Sequence, residues 1–163
     1  MKQLWAPWRM SYVGGEAAAP NGCVFCASID SSDDRAALVV ERTPNTVTLL
    51  NRYPYTSGHV MVLPIRHLTD PLDLDAAEGA ALFDGMQRAL RALDSTLHPD
   101  GYNSGFNFGD AAGGSVGHLH MHVVPRWSGD TNFMPVLGDV KVVPEHLEAT
   151  AARLRQAFSA LGA

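Results

Sequence analysis

His118-Leu119-His120-Met121-His122-Val123-Val124-Pro125-Arg126 is the stretch on which the reading of this chain turns. Histidine alternates with apolar Leu119, Met121 and Val123, and alternation at period two marks a β-strand with one face buried. On a regular strand over residues 117–124 the three imidazoles share one side, about 7 Å between successive rings. Three ionisable rings on one face repel when charged, which pushes at least one toward neutrality near pH 7. That is an expensive arrangement for scaffolding. It points to a metal site, or to a nucleophile flanked by proton-handling partners.

Outward from this stretch the pattern is that of an α+β domain. Val39 to Leu50 is rich in β-branched residues and broken at Pro44-Asn45, which predicts two short strands around a turn. Asn51 to Gly58 reads as a loop, and His59 to Ile65 as a strand ending at Pro64. Asp75-Ala76-Ala77-Glu78 is a capping box opening a helix, along which Leu82, Met86, Leu90, Leu93 and Leu97 form one apolar stripe. That helix should end near His98-Pro99. Residues 102–109 read as a further strand, Ala111 to Ser115 as a tight loop, and Pro144 to Leu161 as a C-terminal helix. Strands, helix, strands, helix predicts a mainly antiparallel sheet with one long helix and a C-terminal helix. Residues 1–163 are expected to form a single domain, with an irregular arm over 1–22 and a C-terminal extension over 136–163. In the arm, Trp5, Trp8 and Tyr12 are expected to pack on the body or on a partner subunit.

With 46% hydrophobic and 18% charged residues, the composition is that of an ordinary globular protein. A net charge of −5 argues against non-specific binding of nucleic-acid polymers, which needs a basic footprint. A small anionic substrate is not excluded, because a few local donors suffice to hold it. Met1 to Arg9 has no signal-peptide layout, and no segment approaches the roughly 18 apolar residues of a membrane span. The expected location is therefore cytoplasmic. There a structural disulfide between Cys23 and Cys26 is disfavoured. Their C-x-x-C spacing suits either metal ligation or redox chemistry.

His118-x-His120-x-His122-Val-Val-Pro resembles the histidine triad superfamily of nucleotide hydrolases and transferases. The likeness extends to Leu50-Asn51-Arg52 and Ser57-Gly58-His59-Val60-Met61-Val62-Leu63-Pro64, similar to the family's ribose-binding strand and hairpin. Asn107, eleven residues before His118, matches a phosphate-binding position. Trp5-Ala6-Pro7-Trp8-Arg9 and Pro125-Arg126-Trp127-x-Gly129-Asp130-x-Asn132-Phe133 resemble a bacterial branch containing enzymes of diadenosine tetraphosphate. The resemblance implies a two-step reaction: His120 attacks the α-phosphorus to give a nucleotidyl-histidine, which water or phosphate resolves. His122 would bond phosphate oxygens or pass a proton to the leaving group, and the backbone carbonyl of His118 would orient His120. Asn51 and His59 are implied in ribose contact, with His59 at the pocket rim. Where hydrolytic members carry a glutamine, this chain has Gly114 followed by Ser115. That pair resembles phosphorylase members, and the loop could donate hydrogen bonds to orthophosphate. The third histidine argues against the uridylyltransferase-like members, which carry glutamine there.

The resemblance also favours zinc, held by Cys23, Cys26, His67 and His118 in a closed tetrahedral set with a structural role, and no organic cofactor. His118 would then have to turn away from the other two histidines. A two-fold homodimer with joined sheets is implied as well. Two readings compete. One is a nucleotidyl-transferring hydrolase or phosphorylase of dinucleoside polyphosphates or of related nucleotides such as phosphoramidates; the other is a nucleotide-binding protein with little catalytic role.

Overall fold

Every residue from Val60 to Pro64 is buried, so this strand is covered on both faces, and the rest of the architecture follows from that. In the computed structural model, which describes residues 22–114, 116–130 and 145–162, five strands form one antiparallel sheet. They are β1 (Val39–Arg42), β2 (Thr46–Leu50), β3 (Val60–Pro64), β4 (Gly101–Phe106) and β5 (Met121–Arg126), in spatial order β1-β2-β3-β5-β4. The described helices are α1 (Val24–Asp30), α2 (Ala76–Leu97) and α3 (Leu147–Ala160), with short 3-10 turns at Pro71–Asp73 and Asp110–Ala112. This is the expected α+β fold with its antiparallel sheet, long helix and C-terminal helix. Trp5, Trp8, Tyr12, Ser115, Asn132 and Phe133 lie outside the described residues. None of the described helices is long and apolar enough to cross a membrane.

Alternate residues of each central strand feed two separate cores. Val60 and Val62 of β3, Leu50 of β2 and Val123 of β5 pack with Leu82, Ala89, Ala92 and Leu93 of α2 and Ala151, Leu154 and Phe158 of α3. Met61 and Leu63 of β3 and Val47 and Leu49 of β2 pack on the opposite face with Phe25 of α1. Met61 pairs with His122 and Val60 with Val123, so His122 projects on the α1 face and Val123 into the helix-covered core. His59 and Asn51 continue the same odd-numbered parity from β3 and β2. One face of the sheet holds the fold together, and the other presents the polar side chains.

The capping box forms as expected: the Asp75 carboxylate accepts from the Glu78 N–H at 2.8 Å, and the Glu78 carboxylate accepts from the Asp75 N–H at 3.0 Å. The helix ends where His98 takes a left-handed conformation. Gly85 faces β3 so closely that an added Cβ would come within 2.7 Å of Val62 Cγ1. β4 stops at Phe106, short of the expected end at residue 109.

The histidine stretch departs most from expectation. β5 begins only at Met121, so His118 and His120 precede the strand rather than lying on it. The Leu119 N–H donates to the Leu68 carbonyl, and the His118 N–H to the Val116 carbonyl at 2.8 Å. Its pairing with β3 covers only Val60 to Val62. Beyond that β3 runs into Pro64, which has no N–H to extend a ladder. The Pro64 carbonyl is taken instead by the His118 ring at 3.0 Å.

Candidate active site and metal cluster

Four ring hydrogen bonds, three of them to the backbone, place the protons of the triad, because a carbonyl can only accept and a backbone N–H can only donate. His120 Nδ1 lies 2.7 Å from the His118 carbonyl, so Nδ1 carries the proton and Nε2 the bare lone pair. His118 Nε2 meets the Pro64 carbonyl, so its Nδ1 is the free ligand atom. The Tyr55 N–H donates to His59 Nδ1 at 3.0 Å, which puts the His59 proton on Nε2. That Nε2 lies 2.9 Å from His122 Nδ1, so His122 accepts there and carries its own proton on Nε2. The chain Tyr55, His59, His122 thus delivers a donor to the outer end of His122.

The imidazoles of His120 and His122 meet edge to face with centroids 4.8 Å apart. Burial pulls His120 below its ordinary value, against the opposing hydrogen bond to His118. Burial, joined by the charge on His120, pulls His122 down to about 4. Both rings are therefore neutral at pH 7, one offering a lone pair and the other a proton. Asn107 Nδ2 lies 3.4 Å from His122 Nε2 and 3.5 Å from the Tyr55 hydroxyl. Two donors side by side suit an anionic oxygen received between them.

The His118 ring turns away from this pair into a second cluster. The ligand atoms of Cys23, Cys26, His67 and His118 all lie within 4.8 Å of one another. His118 Nδ1 is 3.6 Å from Cys23 Sγ and 3.5 Å from Cys26 Sγ, and His67 Nδ1 is 3.2 Å from Cys26 Sγ. Tetrahedral bonds of zinc length separate a sulfur and a nitrogen ligand by roughly 3.5 Å. The group can hold a metal ion. Its His118 carries the outer-shell hydrogen bond, ring N–H to backbone carbonyl, that orients a ligating histidine. Burial and the adjacent Cys23 thiol push the Cys26 thiol up, opposite to what a reactive redox thiol needs. The two histidines that complete the four-residue set favour ligation for the pair.

The model of the HIT domain family matches residues 33–129. The chain belongs to the HIT family. An AP-4-A phosphorylase of Mycobacterium tuberculosis is 40% identical to it over 157 residues, 92% of this chain and 80% of that one. A Zn-bound histidine triad family protein from Mycobacterium smegmatis superposes with a TM-score of 0.69 at 32% identity, covering 86% of this chain and 95% of the other. A hypothetical histidine triad nucleotide-binding protein from Sulfolobus tokodaii gives a TM-score of 0.70 at 26% identity, covering 85% of this chain and 93% of the other.

Within this HIT domain two expected placements change. His59 is fully buried behind His122 rather than at the pocket rim. It is drawn there by strand parity and by Gly58, whose positive φ of 77° and contact with Leu97 and Leu93 leave no room for a side chain. Asn51 is buried beside it, its Oδ1 accepting from the Tyr53 N–H at 2.9 Å, so it closes the 51–59 loop. Gly114 is tightly enclosed: a Cβ there would sit 2.8 Å from the Asn107 carbonyl and 3.0 Å from the Gly109 nitrogen. The Gly114 N–H is also spent on the Gly109 carbonyl at 3.1 Å, so it is no anion donor. What Gly114 permits is the close return of the loop over Asn107.

Two neighbours of the site were missed from sequence. Phe25 packs edge to face with His120 at 4.9 Å, and the Tyr55 ring packs 4.6 Å from His59 and 5.9 Å from His122. Phe25 lies between the two cysteines, the one sequence signal that could have marked it. Tyr55 looks like any loop aromatic. His98 and His146 are exposed helix-end residues.

Proposed function

We propose that this protein is a nucleotidyl-transferring enzyme that splits dinucleoside polyphosphates such as diadenosine tetraphosphate through a covalent nucleotidyl-histidine on His120, with orthophosphate as the final acceptor. The observation that carries this reading is the 2.7 Å bond from His120 Nδ1 to the His118 carbonyl, which leaves Nε2 as a neutral nucleophile. In the first step a bond forms from His120 Nε2 to the α-phosphorus, and the bond to the bridging oxygen breaks. ATP departs with that oxygen, which receives the hydrogen bond of His122 Nε2–H. In the second step an orthophosphate oxygen attacks the same phosphorus, the P–N bond breaks, and ADP leaves. Asn107 sits where the transferred phosphoryl oxygens would lie, and Asn51 and His59 brace the loop beside the nucleotide. The likeness to an AP-4-A phosphorylase supports phosphate over water as acceptor.

In the same reading Cys23, Cys26, His67 and His118 hold zinc, a closed four-ligand set whose contribution is structural. A cytoplasmic location suits the reduced thiols this requires. The exposed residues of β4, at the sheet edge, support a homodimer with joined sheets.

The test is product analysis of diadenosine tetraphosphate incubated with and without orthophosphate. ADP plus ATP, formed only with phosphate, is the expected result. AMP plus ATP without phosphate would make water the acceptor, and two ADP without phosphate would contradict attack at the α-phosphorus. His120→Ala should abolish turnover while the circular dichroism spectrum is kept. Nucleotide binding with no turnover in the parent chain would return the protein to a binding role.

A further inference from the structure

The His118 side chain belongs to one cluster and its main chain to the other. Its Nδ1 faces both cysteine sulfurs, its Nε2 is held by the Pro64 carbonyl, and its own carbonyl holds the His120 proton. The residue is buried and has no polar atom left to adjust. A second connection runs through α1. Cys23 stands at the N-cap position of this helix and Cys26 lies in its first turn, and between them the Phe25 ring packs edge to face with that of His120 at an interplanar angle of 61°. Phe25 is the only buried residue of the helix.

Seven residues are too few for a helix to stand alone, and no side chain caps the α1 N-terminus. Its far end is held by Arg42, whose guanidinium donates to the Ile29 and Ser28 carbonyls at 2.6 and 3.2 Å. Its near end is held by Phe25 and by whatever the two cysteines ligate. An ion drawing Cys23, Cys26 and His118 together therefore fixes one imidazole from two directions at once.

We infer that the Cys23, Cys26, His67 and His118 cluster is a clamp on the nucleophile, with His118 and Phe25 as positioning residues that hold the His120 ring in its attacking orientation. The inference rests on the proposed roles of His120 and of the cluster, and extends them: the metal acts on the rate without touching substrate. Without an ion, the two sulfurs are free to relax away from His118 Nδ1, and both the carbonyl and the Phe25 ring lose their fixed position. A misplacement on the order of 1 Å at a reacting atom can cost about 100-fold in rate.

The test compares zinc-loaded, chelator-stripped and zinc-reconstituted protein, in the parent chain and in Phe25→Leu. Turnover of diadenosine tetraphosphate gives kcat and KM, and NMR gives the His120 ring-proton resonances, which feel the ring current of Phe25. Stripping should lower kcat by about tenfold or more with KM changed less than about twofold. It should also move the His120 resonances, and zinc should restore both. In Phe25→Leu, kcat should already be lowered and the further loss on stripping should be smaller than in the parent. Unchanged kcat and unchanged His120 resonances in stripped, folded protein would overturn the clamp. Independent multiplication of the two losses would overturn the Phe25 route. Should stripping unfold the chain, His67→Ala loosens the cluster from its exposed side; unchanged kcat and resonances in that variant would overturn the inference equally. Failure of the underlying reading shows separately, as turnover that survives His120→Ala or as a chain that takes up no zinc.

Discussion

His122 shows how much of this site is decided by single atoms. Burial and the charge on His120 pull it down to about 4 from an ordinary 6.5. In the unfolded chain it ionises at the ordinary value, so between these two pH values the unfolded state binds more protons. Stability contributed by the neutral ring is fully present above about 6.5 and is lost as pH falls through about 4. Urea midpoints should therefore hold steady from about pH 8 to 7 and decline between about pH 6.5 and 4. His122→Gln should flatten that decline, and an undiminished slope in the variant would count against the assignment. The residue types of the site were legible in sequence: the triad stood out by spacing, and all four residues expected at the metal cluster come together. The proton positions were not. They depend on which ring faces a carbonyl and which an N–H, and the Pro64 carbonyl and Tyr55 N–H carry no mark in the sequence.

Elements were legible where a local rule governed them. The capping box opened α2 at Asp75, as read, and Pro44-Asn45 separated β1 from β2. The rule failed at the histidine strand, where alternation continued through His118 and His120 although the ladder had not begun. Period-two patterning reports which way side chains alternate, not whether a partner strand is there to pair. Tertiary contact likewise sets the opposite values of two glycines on α2. Gly79 has nothing within 4 Å of an added Cβ, and Gly85 would meet Val62 Cγ1 at 2.7 Å. Gly79→Ala should stabilise the protein by about 0.5–1 kcal/mol through helix propensity. Gly85→Ala should destabilise it by about 1–3 kcal/mol, because helix and sheet must part or Val62 must leave its rotamer. Denaturant midpoints of the two variants measure this, and equal shifts would refute the close packing of α2 on β3.

At the scale of the molecule, the two edges of the sheet differ. At the β1 edge the Val39 carbonyl accepts from Arg155 at 2.7 Å and its N–H donates to the Asp34 carbonyl at 2.9 Å, so this edge is covered. Asn103, Ser104 and Gly105 of β4 are exposed. Met86 of α2 lies beside Ser104, and Phe83, one turn earlier, is 55% exposed. Light scattering over a range of concentrations should give twice the chain mass, and a single-chain mass throughout would exclude the dimer. The overall fold was legible because order and periodicity restrict an α+β chain to few arrangements. Which face would carry the chemistry was not, since β3 is apolar on both. The pairing of Met61 with His122 and of Val60 with Val123 settles it. It also ties folding to the site: sliding β5 by a single position would drive His122 into the apolar layer under α2 and put Val123 against His59 in its place. A mispaired chain would be unstable and, on the role proposed for His122, inactive as well, so one register serves both packing and the proposed chemistry.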